Sequence, residues 1–123
     1  MKRARVAVLI SGAGTNMAAL LYASRADDSP YEVALVISNR EGAAGVALAK
    51  AEGVPAFTLP SRGQERAKHD LWVNEVLDAH DIDYIALAGY MRILTPSFVL
   101  HWQDRMLNIH PSLLPDYKGL DTH

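Results

Sequence analysis

Cysteine is absent from the 123 residues, which removes a disulfide framework, a thiolate nucleophile and a cysteine-ligated zinc from consideration. That absence suits a reducing compartment, so a cytoplasmic location is the default expectation. Charge of one sign is also lacking: 12 Lys and Arg against 14 Asp and Glu leave a formal net charge of -2, with 21% of residues charged. No polycationic field exists to hold nucleic acid or an anionic membrane by charge alone, and neither is expected as a partner. Long apolar runs are missing as well. The basic start Met1-Lys2-Arg3-Ala4-Arg5 leads into an apolar stretch that stops at Ile10 and meets Ser11-Gly12, too short for a signal-peptide core or a membrane span. There is no internal repeat, low-complexity tract or linker. What remains, at 50% hydrophobic residues, reads as one globular domain over residues 1–123.

Within it, strand and helix signals alternate. Val6 to Ile10 is a continuous branched apolar run closed by glycines, as expected of a strand buried on both faces. Thr15 or Asn16 is placed to cap a helix carrying Met17, Leu20 and Leu21, which ends before Asp27-Asp28-Ser29-Pro30. Tyr31 to Ser38 repeats the strand signal, and Gly42 to Glu52 is an Ala-rich helix with Val46, Leu48 and Ala49 apolar and Gly53 as its stop. Pro55 to Leu59 reads as a third strand. A long helix from about Glu65 to His80 follows, with Leu71, Val73, Val76 and Leu77 as its buried stripe. Tyr84 to Ala88 is a further buried strand, Thr95-Pro96 opens a brief helix through Trp102, and Met106 to His110 looks like a fifth strand cut off by Pro111. This alternation predicts an α/β fold with a doubly wound, mostly parallel open sheet, whose ligands bind at the carboxyl ends of the strands.

Two polar clusters fall at those ends. Ser11-Gly12-Ala13-Gly14-Thr15-Asn16 joins the first strand to the first helix, where small residues let a phosphate approach backbone N–H groups at the positive end of the helix dipole. It is a poor dinucleotide fingerprint, since the third glycine of G-x-G-x-x-G would fall at Met17 and the second strand ends in Ser38-Asn39-Arg40 with no acid for a ribose. A phosphate monoester fits better than NAD, and Arg40 keeps NADP as a lesser alternative. The competing reading is a tight turn without a ligand. The second cluster is Asn108-Ile109-His110-Pro111, where alternation puts the Asn and His side chains on one side of an extended segment. An Asn amide and a near-neutral His together can stabilise an oxyanion and move a proton, although isolated pairs of this kind are usually structural. Pro111 and Pro115 stiffen the loop behind them.

His69, His80 and His101 have no partner at metal-ligand spacing and read as surface or boundary residues; no metal site is expected. His123 is a terminal residue, and Ser11 and Ser112 lack a Ser-His-acid arrangement, so a nucleophilic serine is not expected. Gly89 to Leu94 leaves a buried strand with apolar and cationic side chains that suit a slot for a flat heterocycle, the alternative being ordinary core for Ile93 and Leu94.

LISGAGTN near the start, AGYMRILTPSF in the middle and LNIHPSLLPDYKGLDTH at the end together resemble the phosphoribosylglycinamide formyltransferase family, over the whole chain. NIHPSLLP is shared with the wider formyltetrahydrofolate-dependent enzymes, including methionyl-tRNA formyltransferase and formyltetrahydrofolate deformylase, whereas SGAGTN resembles the ribose-phosphate loop of the glycinamide ribonucleotide enzymes. The resemblance implies a Rossmann-like formyltransferase fold in a single N-terminal domain, containing a phosphate loop, a folate-binding segment and an NIHP catalytic segment. It assigns Gly14, Thr15 and Asn16 to phosphoribosylglycinamide, and Arg66, Met91, Arg92, Ile93, Leu94 and Asn108 to 10-formyltetrahydrofolate, the formyl donor. His110 becomes the proton donor and, with Asn108, the catalytic pair. Implied partners are these small molecules alone, in a monomer or homodimer serving purine biosynthesis without a metal.

In the family an aspartate further downstream tunes the catalytic histidine, and more phosphate and folate contacts lie there too, so the fold is expected to be C-terminally truncated and its site impaired as written. Asp121 stands in a GLDTH where family members often carry a second histidine. A deformylase-type hydrolase and a ligand-binding fragment without turnover are the alternatives.

Overall fold

The branched run Ala4–Ile10 forms β1, whose last four residues, Ala7 to Ile10, are completely buried in the computed structural model, which describes residues 2–109. Eight further elements follow: α1 (Thr15–Ala23), β2 (Tyr31–Ser38), α2 (Ala44–Ala51), β3 (Ala56–Thr58), α3 (Arg66–Ala79), β4 (Tyr84–Leu87), α4 (Pro96–His101) and β5 (Met106–Asn108). The strands form one five-stranded sheet in the order β3-β2-β1-β4-β5, and every pairing is parallel. Side-chain alternation divides the core in two. Val8 and Ile10 meet Met17 and Leu21 of α1 and Val46 and Ala49 of α2, while Ala7 and Leu9 meet Val73 and Leu77 of α3 and Phe98 and Trp102 around α4. The expected doubly wound α/β fold is therefore present.

One irregularity adjusts the alternation. β1 and β2 pair Val6 with Val33 but Ala7 with Leu35, so Ala34 is extra on β2. This bulge is why Val33 and Val36, three residues apart, both face α1 and α2 while Leu35 and Ile37 face α3.

On the side of α1 and α2, the helices stop short of β4 and β5. There an apolar groove of about 390 Å³ is lined by Val6, Leu20, Tyr84, Leu107 and Ile109, with Leu107 68% exposed.

Several expectations need correction. The N-cap of α1 is Gly14, in left-handed conformation, and neither Thr15 nor Asn16 caps it, because both already lie inside the helix. Leu71 is exposed, not part of the α3 stripe: the buried positions His69, Val73 and Leu77 recur every four residues, and Leu71 lies half a turn away from His69. His69 is fully buried instead of superficial, with Nε2 bonded to the Leu59 carbonyl at 2.8 Å. Tyr84 is largely exposed at the start of β4. The fifth strand ends at Asn108, and His110, with Pro111 to His123, lies outside the described residues.

Candidate active site

β1 and β4 are neighbours in space, although the chain leaves β1 toward β2 and returns from β3 to β4. Between two such strands the connecting loops diverge at the carboxyl ends and leave a crevice for a ligand. Here those loops are the glycine loop after β1 and residues Gly89 to Leu94 after β4, with the end of β5 alongside.

The glycine loop is shaped by close packing. Gly14 has φ +80°, and a Cβ there would stand 2.7 Å from the Gly45 Cα; a Cβ on Gly45 would in turn meet Ile10 Cδ1 at 2.4 Å. Two glycines thus let the start of α2 touch the loop, and Gly45 N donates to the Gly12 carbonyl at 3.4 Å. The first backbone bond of α1 runs from Ala18 N to Gly14 O at 2.8 Å, so the N–H groups of Thr15, Asn16 and Met17 precede it and have no acceptor within the helix. No acidic side chain sits in that first turn and none caps it. Such a turn favours an anion. Gly45 went unnoticed in the sequence, where it looked like one more small residue of an Ala-rich helix.

The segment after β4 is pinned from three sides. Met91 N donates to Ser11 Oγ at 2.6 Å. Arg92 Nη2 donates to the Gln64 carbonyl at 3.1 Å, which ties the segment to the loop just ahead of Arg66. Asp70 Oδ2, on α3, accepts from Thr95 N at 2.8 Å and from Thr95 Oγ1 at 2.7 Å, and Thr95 Oγ1 accepts from Phe98 N as the cap of α4. Asp70 is 3% exposed, and these two bonds hold a carboxylate that would be costly to bury unpartnered. With its backbone fixed, the segment turns Met91 and Ile93 outward, 67% and 65% exposed, while Leu94 packs on the core. Burial pushes the Tyr90 phenol far above its usual range, the Asp70 charge adds to that, and Arg92 opposes it, so Tyr90 stays neutral.

Gly14, Thr15 and Asn16 thus stand at the start of α1 after β1, and Met91, Arg92, Ile93 and Leu94 follow the neighbouring strand β4, with Met91 N bonded to Ser11 Oγ; Arg66 lies at the exposed start of α3 and Asn108 is exposed at the end of β5 beside Leu87. Among the described residues no group of three His, Asp or Glu could hold a metal ion, and no helix is long and apolar enough to cross a membrane.

A glycine loop at a helix start beside an exposed apolar segment stands at the switch point, the place where open α/β sheets take their ligands. The formyl transferase family model matches residues 4–123, and the chain belongs to that family. It is 42% identical over 120 residues to the phosphoribosylglycinamide formyltransferase of Haemophilus influenzae, covering 97% of this chain and 57% of that one. Against the trifunctional purine biosynthetic protein adenosine-3 of Bos taurus the identity is 45% over 123 residues, covering 99% of this chain but 12% of that protein. The solved phosphoribosylglycinamide formyltransferase of Brucella melitensis superposes with a TM-score of 0.86 at 41% identity, covering 99% of this chain and 64% of that one. The chain therefore spans little more than half the length of these bacterial relatives. A formyltetrahydrofolate deformylase from Pseudomonas putida, at 24% identity and a TM-score of 0.80, shares the fold.

Proposed function

We propose that the protein transfers the formyl group of 10-formyltetrahydrofolate to the amine of 5-phosphoribosylglycinamide, as a soluble cytoplasmic enzyme of purine biosynthesis. The observation that supports this reading is the bond from Met91 N to Ser11 Oγ, because it ties the loop leading into α1 to the exposed segment that begins at Met91. In this reading the ribonucleotide phosphate sits on the N–H groups at Gly14, Thr15 and Asn16. The folate lies along Met91, Arg92, Ile93 and Leu94, whose backbone groups can pair with a polar heterocycle while the side chains cover its faces, and Arg66 and Arg92 offer charge to the donor's carboxylates.

The substrate amine attacks the formyl carbon directly. The carbonyl oxygen becomes an oxyanion, for which the exposed Asn108 amide is a non-titrating donor; its collapse breaks the bond from the formyl carbon to the folate nitrogen, which leaves with a proton assigned to His110, and the proton shed by the attacking amine restores that histidine. Direct attack requires neither a metal nor a covalent enzyme intermediate, and two ligands held side by side make the step effectively intramolecular.

The test is the formation of tetrahydrofolate from 10-formyltetrahydrofolate by the full-length protein. Release that depends on added phosphoribosylglycinamide, with formylated ribonucleotide as co-product, is the expected outcome. Release at the same rate without the ribonucleotide would indicate a hydrolase and defeat the proposal.

A further inference from the structure

Four strand-end loops meet at one buried polar chain. Ser11 Oγ donates to Asn39 Oδ1 and accepts from Met91 N, and Asn39 Nδ2 donates to Ser61 Oγ at 3.0 Å. The Asn39 backbone is held as well: its N–H donates to the Ile10 carbonyl at 3.2 Å, and its carbonyl accepts from Ser61 N at 3.1 Å. Ser11 and Asn39 are 4% and 3% exposed. The chain thus runs from the loop after β3, through the end of β2, to the glycine loop after β1 and on to the segment after β4.

An apolar contact at this place would tolerate sliding, whereas a hydrogen bond weakens steeply once its length or angle drifts. The Ser11 hydroxyl is also doubly committed, since turning its proton toward Asn39 leaves its lone pairs for Met91 N–H. Among the described residues no other group accepts that N–H, so without Ser11 it would lose its protein partner. Ser11 immediately precedes Gly12, and Met91 is where the exposed apolar segment begins.

We propose that Ser11 and Asn39 are positioning residues that fix the distance between the two halves of the site, acting through Met91 on the donor and through the glycine loop on the phosphorylated substrate. Neither touches the reacting atoms. The inference rests on the formyl-transfer reading and adds to it the device by which the two ligands are kept in register.

The experiment measures KM for both substrates and kcat in the full-length protein. Ser11→Ala is expected to raise each KM about tenfold, the worth of one lost buried hydrogen bond, and to lower kcat severalfold because the two ligands lose their register. Ser11→Thr keeps the hydroxyl and is expected to bring both KM values back to within about threefold of wild type. Ser61→Ala removes only the outermost link, so it serves if Ser11→Ala does not fold, and its donor KM is expected to rise about threefold. A purely structural role predicts otherwise: unchanged KM values with a lower thermal midpoint, or no rescue by threonine, overturns the proposal. A wild-type protein that transfers no formyl group overturns the underlying reading and this inference with it, whereas active wild type with unaltered KM in the variants overturns only the positioning role.

Discussion

The two halves of the sheet solve different problems at the same edge. Around β1, β2 and β3, helices cover both faces, Gly14 and Gly45 bring backbones into contact, and the groups left without a helical acceptor at the start of α1 are main-chain N–H. Around β4 and β5, the α3 and α4 side is packed just as firmly, with Phe98 and Trp102 each 2% exposed, but Met91, Ile93 and Leu107 stand in the open. The first half offers close-packed backbone, which in the proposed reading would hold the phosphate without a side chain. The second offers apolar side chains on a backbone clamped from below by Ser11, Gln64 and Asp70. A polar anion and a flat heterocycle would call for these two kinds of surface; in the second half Met91 and Ile93 stand after β4, whereas Leu107 lines the groove on the α1 and α2 side.

The sharpest way to break the contrast is Trp102→Ala. The indole is buried and donates from Nε1 to Asn74 Oδ1 at 2.8 Å, so its loss is expected to cost about 3–5 kcal/mol by denaturant unfolding. A small effect would mean the β4–β5 half is loose throughout. Gly14→Ala comes next. Its left-handed φ and the 2.7 Å approach to Gly45 predict a loss of about 2–4 kcal/mol, together with weakened binding of the phosphorylated substrate, measurable by calorimetry. Ile93→Ser should do the reverse: stability within about 0.5 kcal/mol of wild type, because the side chain is already in solvent, but a severalfold rise in donor KM.

The smallest effect concerns pH and only the first half. Hydrogen bonds from Arg25 and Tyr22 hold the Glu52 carboxyl below its ordinary value of 4.5. Since the folded state binds that proton less readily than the unfolded chain, the contact stabilises fully above the ordinary value and is lost as pH falls through the lowered one. A thermal midpoint that drops slightly more in wild type than in Glu52→Gln between pH 5 and pH 3 is the expected sign, and the drop is small because the pair is exposed.

Much of this organisation is legible in the sequence. Continuous apolar runs marked β1 and β2 because strands buried on both faces leave no polar alternation to misread, and the glycine cluster after Ile10 marked the turn from strand to helix. What escaped reading depends on partners far along the chain. Ser11 meets Asn39 and Met91 across 28 and 80 positions, and Asp70 meets Thr95 across 25. A lone Ser, Asn or Asp carries no periodic signal, so only the fold reveals that it is buried and bonded. His69 was missed for a related reason: its ring fills the same stripe as Val73 and Leu77, a place a reader assigns to Leu71 by hydrophobicity alone.

The most direct test of the two-surface account is to follow backbone amide resonances while adding each ligand separately. Phosphoribosylglycinamide is expected to shift the amides of Gly12 to Met17, and 10-formyltetrahydrofolate those of Met91 to Leu94 and Asn108, with Ser11 responding to both. If both ligands move one loop only, or if the ribonucleotide leaves the Gly12 to Met17 amides unshifted, the division of the site between the two halves of the sheet is wrong.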